Sequence, residues 1–181
     1  MLTAAGVAFE AVPAHLDERA IEAGLNGAPP GDVARALAAA KAVAVSRENS
    51  GALVLGSDSL VEVSGRRYDK PASRAAAAEH LRAFSGHVMR LHSAAALARD
   101  GEAIWQCDAM ASLYVIEMSE AFIAAYLDAE WPAVAGCVGV FRIEGRGVQL
   151  FEAIEGDHFT VLGMPLLPVL GALRDLGELP R

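Results

Sequence analysis

Ala52-Leu53-Val54-Leu55 is an unbroken apolar run closed on both sides by glycine, Gly51 and Gly56. It is too short for a helix and does not alternate, so it reads as a central strand buried on both faces of a sheet. Such a strand needs cover above and below, and the rest of the chain supplies it. Helices are predicted from Asp32 to about Glu48, from Ser73 to about Phe84, from Ser119 through about Glu130, and from Pro165 to Leu176. The serines and the aspartate are placed as N-caps, and Trp131-Pro132 ends the third helix. Ser64-Gly65 is a plausible hairpin turn between Leu60-Val63 and Arg67-Tyr68. Asp100-Gly101 is the strongest hairpin signal, joining a strand near Val88 to Leu97 with one from about Ala103 to Ile116. Shorter strands are expected at Phe9 to Val12, Val138 to Ile143 and Val148 to Phe151, and Met1 to Gly6 reads as the last turn of a helix. The class is therefore α/β, a mixed β-sheet flanked by helices. No repeat or composition break divides the chain, so residues 1–181 are read as one domain.

Charge and cysteine usage narrow the function. The net charge of −8 repels polyanions, and no Lys/Arg stripe interleaved with aromatics appears, so nucleic acid is not the expected partner. The longest uncharged apolar run carries Pro165 and Pro168 and is shorter than a membrane span. Cys107 and Cys137 form no zinc-like spacing and no disulfide framework, and no secretory signal follows Met1; a soluble, cytoplasmic protein is expected.

Asp58 is the first candidate for chemistry. It is expected just past the buried strand, where α/β sheets open their ligand crevice, and a carboxylate there would bind a divalent cation or take a proton from water. Gly56-Ser57-Asp58-Ser59 is equally a turn whose side chains satisfy local backbone groups. Lys70, in Asp69-Lys70-Pro71, sits in a loop stiffened by proline and would neutralise phosphate as a point charge, although exposed lysines usually do nothing. Lys41 interrupts the run Ala38-Ala39-Ala40-Lys41-Ala42, where a snorkelling lysine at the edge of the core is the alternative. Glu18 and Glu144 are carboxylates expected on loops. The histidines, His15, His80, His87, His92 and His158, show no metal-ligand pair, and no P-loop, GxGxxG or serine-hydrolase elbow is present.

Taken in order, Leu53-Val54-Leu55-Gly56-Ser57-Asp58-Ser59, Asp69-Lys70-Pro71, Leu81-Arg82-Ala83-Phe84-Ser85-Gly86, Ile154-Glu155-Gly156-Asp157 and Val161-Leu162-Gly163-Met164-Pro165-Leu166 resemble the Maf-like nucleoside triphosphate pyrophosphatases across the chain. The resemblance implies a nucleotide cleft. It also implies hydrolysis of a nucleoside triphosphate to the monophosphate and pyrophosphate with a divalent metal, magnesium or manganese. Asp58 matches the aspartate of the family's G-[AS]-D motif and would be the general base, and a metal ligand with Glu18. Lys41 and Lys70 match lysines expected to hold phosphate oxygens. Base choice is implied at Ser59 and Glu144. Phe141-Arg142-Ile143-Glu144-Gly145 resembles the branch acting on 7-methyl-GTP, where a glutamate would accept hydrogen bonds from a cationic methylated guanine, whereas Ser59 stands where that branch usually has glutamine.

Two departures accompany the resemblance. The family's opening strand and S-x-S-x-x-R-R segment, expected just before Met1 to Gly6, have no counterpart here, as a start assigned too far downstream would produce. Ser85-Gly86-His87-Val88-Met89 stands where S-G-x-T-H is common. The leading expectation is a house-cleaning pyrophosphatase, with a homodimer implied by the family. The alternative is an impaired nucleotide-binding or cell-division module.

Overall fold

The computed structural model describes all residues from Met1 to Arg181. Two helices, α1 (Glu18–Gly24) and α2 (Pro30–Glu48), precede the long strand β1 (Val54–Val63) and its short partner β2 (Arg66–Tyr68). Helix α3 (Arg74–Phe84), strands β3 (Val88–Arg99) and β4 (Glu102–Val115) and helix α4 (Glu120–Glu130) follow. The chain closes with β5 (Phe151–Glu155), α5 (His158–Val161) and α6 (Leu166–Asp175). The strands are ordered β2-β1-β3-β4-β5.

The α/β class is as expected, but the sheet is antiparallel rather than mixed. β1–β2 and β4–β5 are antiparallel pairs. Between β1 and β3, Ser57 meets Ala94, Ser59 meets Ser93 and Glu62 meets Arg90, so the numbers rise on one strand as they fall on the other. Tight turns enforce this arrangement. Ser64-Gly65 and Asp100-Gly101 both have positive φ at the two central residues, the geometry that matches strand twist in two-residue hairpins. Phe9 to Val12 and Val138 to Ile143 are not strands, and Val148 to Leu150 belong to a 3-10 turn (Arg146–Leu150) that leads into β5. Their apolar residues bury themselves in irregular backbone instead, as with Val140 and Phe141, or stay exposed, as with Phe9 and Val12. The helix expected to begin at an Asp32 cap begins at Pro30, with Pro29 as N-cap and Asp32 in the first turn.

The chain forms two compact units. The first comprises Met1–Ser59, His92–Ala109 and Asp157–Arg181; the second comprises Leu60–Leu91 and Met110–Gly156. In the first, α6 presents Leu166, Val169, Ala172 and Leu173 at helical spacing to Ala95 and Leu97 of β3. Each leucine buried there is worth about 2 kcal/mol. In the second, α3 packs with α4, and Tyr68 and Phe84 meet edge to face with ring centroids 4.8 Å apart.

Candidate active site

The α2–β1 contact positions the first set of functional groups. Helix α2 buries Val33, Leu37 and Val45, a row spaced by fours that includes Lys41. A second row, Ala34, Ala38 and Ala42, carries only methyl groups, so the helix backbone can come very close to the sheet. Gly56 receives it. A Cβ at that position would lie 2.2 Å from the Ala38 carbonyl oxygen and 2.7 Å from the Ala42 nitrogen. A glycine inside a strand marks such an approach.

Lys41 is thus carried on the inward face of α2, and an inward ammonium needs an acceptor. Asp58 provides it. Its position is the middle of β1 rather than beyond the strand's end, because β1 continues to Val63. Lys41 Nζ donates to Asp58 Oδ1 at 2.6 Å and lies 3.1 Å from Glu18 Oε1. The side chains of Asp58, Lys41 and Glu18 are 10%, 21% and 46% exposed. Glu18 is not on a loop. It opens α1, whose N-cap Asp17 accepts from the Ala20 amide, and an acidic residue in a first turn complements the helix dipole.

Burial pushes the Asp58 carboxyl above its usual range despite the hydrogen bond and charge of Lys41, and Glu18 and Glu22 push the same way. Burial pulls the Lys41 ammonium down, but the hydrogen bonds and charges of Asp58 and Glu18 outweigh it and raise the group. One lysine serves two carboxylates, Asp58 and Glu18, and the charge of Glu22 adds to theirs at Asp58. The surplus of negative charge and the Asp58 Oδ2 atom, buried with no hydrogen-bond partner, suit a divalent cation. Magnesium commonly takes one or two carboxylates with waters and substrate phosphates, and Asp58 and Glu18 are the carboxylates beside Lys41 that could be among them.

Ser57 and Ser59 alternate with Asp58 along the strand. The Ser57 hydroxyl reaches the carbonyls of Ala94 at 2.9 Å and Gly163 at 3.1 Å, whereas Ser59 pairs with the Ser93 hydroxyl at 2.9 Å. Ser93 in turn donates to the Thr160 carbonyl. Beside Lys41, a cavity of about 200 Å³ is lined by Val12 and Ala14, Lys41 and Val45, and Val54 to Ser57. It is smaller than the roughly 300 Å³ at which small-molecule pockets begin, so it does not by itself house a nucleotide.

Lys70 and Glu144 belong to the second unit, and both are exposed. Lys70 follows β2 in the Asp69-Lys70-Pro71 loop. Both bear on the Cys137 thiol, which is raised by burial; Arg142 and Lys70 pull it down, whereas Glu144 and Glu130 push it up. Glu144 lies in the turn closed by the Gly145 amide on the Arg142 carbonyl. Sequence reasoning passed over Glu22, Gly56, Tyr126 and Glu130. Gly56 had a signal, a glycine within an apolar strand; Glu130 had none, since a glutamate ending a helix before Trp131-Pro132 reads as solvated.

The family model described as Maf-like protein matches residues 1–176. A 7-methyl-GTP pyrophosphatase of Rhizobium meliloti (strain 1021) is 47% identical over 181 residues, 99% of this chain and 91% of that protein. Another of the same name, from Rhizobium etli, is 49% identical over 177 residues, 97% of this chain and 89% of its own. A nucleoside triphosphate pyrophosphatase of Nitrobacter hamburgensis is 44% identical over 179 residues, 99% and 89% of the two chains.

Proposed function

We propose, because the chain belongs to the Maf-like protein family, that it is a pyrophosphatase converting nucleoside triphosphates to the monophosphate and pyrophosphate, with 7-methyl-GTP favoured. The names of its relatives support the reaction, and those of the two Rhizobium proteins support the base. The observation that carries the site is the buried, unpartnered Oδ2 of Asp58 beside Lys41.

Asp58 accepts a proton from water while Lys41 holds its Oδ1. The water oxygen bonds to the α-phosphorus, the bond from that phosphorus to the bridging oxygen breaks, and pyrophosphate leaves with the electron pair. The raised carboxyl makes Asp58 a better base than an ordinary aspartate once ionised. Lys41 stays protonated throughout and offsets charge as it builds on the phosphate oxygens. Asp58 and Glu18 would hold a divalent cation, which would supply further charge neutralisation. Lys70 serves as a second phosphate ligand and Glu144 accepts hydrogen bonds from the methylated guanine. Ser59 bears on base choice only weakly and indirectly, since its hydroxyl is held by Ser93. The setting is cytoplasmic house-cleaning and the assembly a homodimer, which sedimentation at micromolar concentration checks.

The test is release of monophosphate and pyrophosphate from 7-methyl-GTP, GTP, UTP, dTTP and CTP with magnesium or manganese. Wild type is expected to turn over 7-methyl-GTP fastest. Asp58→Asn is expected to lose about 100- to 10,000-fold in kcat with nucleotide affinity kept within a few-fold. Equal turnover by the variant would remove Asp58 as base, and no turnover by wild type would remove the function.

A further inference from the structure

From the end of α4 to the 3-10 turn at Arg146 the backbone is irregular, with turns at 131–136, 138–139 and 143–145. A segment of that length without regular structure needs side chains to hold its shape. Two residues of α4, one helical turn apart, provide them. The buried Tyr126 hydroxyl donates to the Val140 carbonyl at 2.9 Å. The buried Glu130 carboxylate accepts from Arg142 Nε at 3.2 Å and Nη2 at 2.8 Å.

What they hold is strained. Val140 has φ +57, a left-handed conformation that a β-branched residue adopts only under constraint. The next residues are packed without slack. A Cβ at Gly147 would lie 2.5 Å from the Arg142 carbonyl oxygen and 2.8 Å from the Phe141 Cβ, and Phe141 itself meets Phe151 edge to face. The turn presenting Glu144 hangs from these points, since the Gly145 amide donates to the Arg142 carbonyl at 3.1 Å.

We infer that Tyr126 and Glu130 are positioning residues for base selectivity: they pin Val140 and Arg142 so that the turn between them and Gly147 presents Glu144 in one fixed place. The inference rests on the proposed reading of Glu144. A carboxylate on a wandering loop would attract any base or cation, whereas one held still discriminates, because acceptor geometry toward the methylated guanine edge is set beforehand.

The experiment measures kcat and KM for 7-methyl-GTP and for GTP by pyrophosphate release, in wild type, Tyr126→Phe, Glu130→Gln and the double variant Tyr126→Phe/Val140→Gly. Tyr126→Phe keeps the ring and removes one hydroxyl. The expected result is a fall of about tenfold in the 7-methyl-GTP to GTP ratio of kcat/KM, carried by KM for the methylated nucleotide. Glu130→Gln is expected to move the ratio the same way. Glycine accepts φ +57 without strain, so Val140→Gly in the Tyr126→Phe background is expected to restore the ratio to within about threefold of wild type. Equal losses for both nucleotides, or an unmoved ratio in both single variants, would overturn the inference while leaving the pyrophosphatase standing. A wild type that hydrolyses neither nucleotide would take away the reading and this inference with it, a result told apart by the wild-type measurement alone.

Discussion

Lys41 and Arg142 are both cations tied to a carboxylate that the fold has buried, Asp58 at 10% exposure and Glu130 at 6%. They are held by opposite means. Lys41 is set by regular structure: a row of alanines on α2, a glycine in β1, and a helix backbone laid against the strand. The pair follows from the packing. Arg142, 47% exposed, projects from irregular backbone, so that there the packing follows from the pair. A site on regular elements is robust to loss of one polar contact and fragile to added volume; a site on a pinned loop has the reverse sensitivity.

The largest expected effect breaks the first half of that comparison. Gly56→Val places its Cβ where the Ala38 carbonyl oxygen is 2.2 Å away, and backbone on both sides must move. Overpacking of this kind costs about 3 kcal/mol or more. For a chain of this size that lowers Tm by about 10 °C, measurable by calorimetry. Turnover should fall further than stability explains, because α2 carries Lys41 away as it shifts. A variant of wild-type Tm and activity would mean the helix does not bear on the strand at Gly56.

Arg142→Ala tests the second half with a smaller expected loss. It leaves the Glu130 carboxylate buried and without its donor, costing about 2 kcal/mol, read as a shift in denaturant midpoint at constant m. Arg142→Lys supplies a point charge without the planar fork and should recover only part. If the alanine variant matches wild type, the loop holds its own shape and the pair is ornamental.

The two regions also differ in how much of them the sequence disclosed. Asp58, Lys41 and the apolar run at Leu53 to Leu55 announce themselves, because a charge inside an apolar or alanine-rich stretch is a local contradiction. Asp100-Gly101 and Ser64-Gly65 disclosed their hairpins through turn chemistry alone. What was hidden depends on contacts distant in sequence. Glu18 read as loop because α1 is only a seven-residue helix. Val138 to Ile143 read as a strand from its apolar residues, but Val140 and Phe141 are buried in irregular backbone, Phe141 against Phe151 and Val140 with a positive φ that no period of two could show. Glu130 looked solvated because nothing local says that Arg142, twelve residues on, returns to it.

A smaller effect separates the two faces of β1. Ser59→Ala removes the hydroxyl paired with Ser93 at the far side of the strand from Lys41, and should cost about 1 kcal/mol of stability. Because that hydroxyl is already engaged, the 7-methyl-GTP to GTP ratio should move by no more than about twofold, well under the shift expected of the α4 pins. A change in ratio larger than that would place Ser59 against the base directly.

The smallest expected effect is a slope whose sign decides which force rules Asp58. Burial, with Glu18 and Glu22, raises its carboxyl against the pull of Lys41. A carboxyl that titrates higher in the folded chain than in the unfolded one binds its proton more tightly when folded. Its contribution is therefore complete below the ordinary value of 3.8 and is lost as pH rises through the folded value. Asp100 and Glu120 are held low, Asp100 by the Gly51 amide and Glu120 by Arg82, and tilt the whole protein the other way. Subtracting Asp58→Asn from wild type cancels them. In metal-free buffer, the stability of wild type relative to the variant should decline with rising pH across that window. A rising difference would mean that the ion pair with Lys41 outweighs burial. Added manganese should reverse the slope, because a cation on Oδ2 favours the ionised carboxylate and binds only the folded chain; an unchanged slope would remove Asp58 from the metal's ligands while leaving its place beside Lys41 intact.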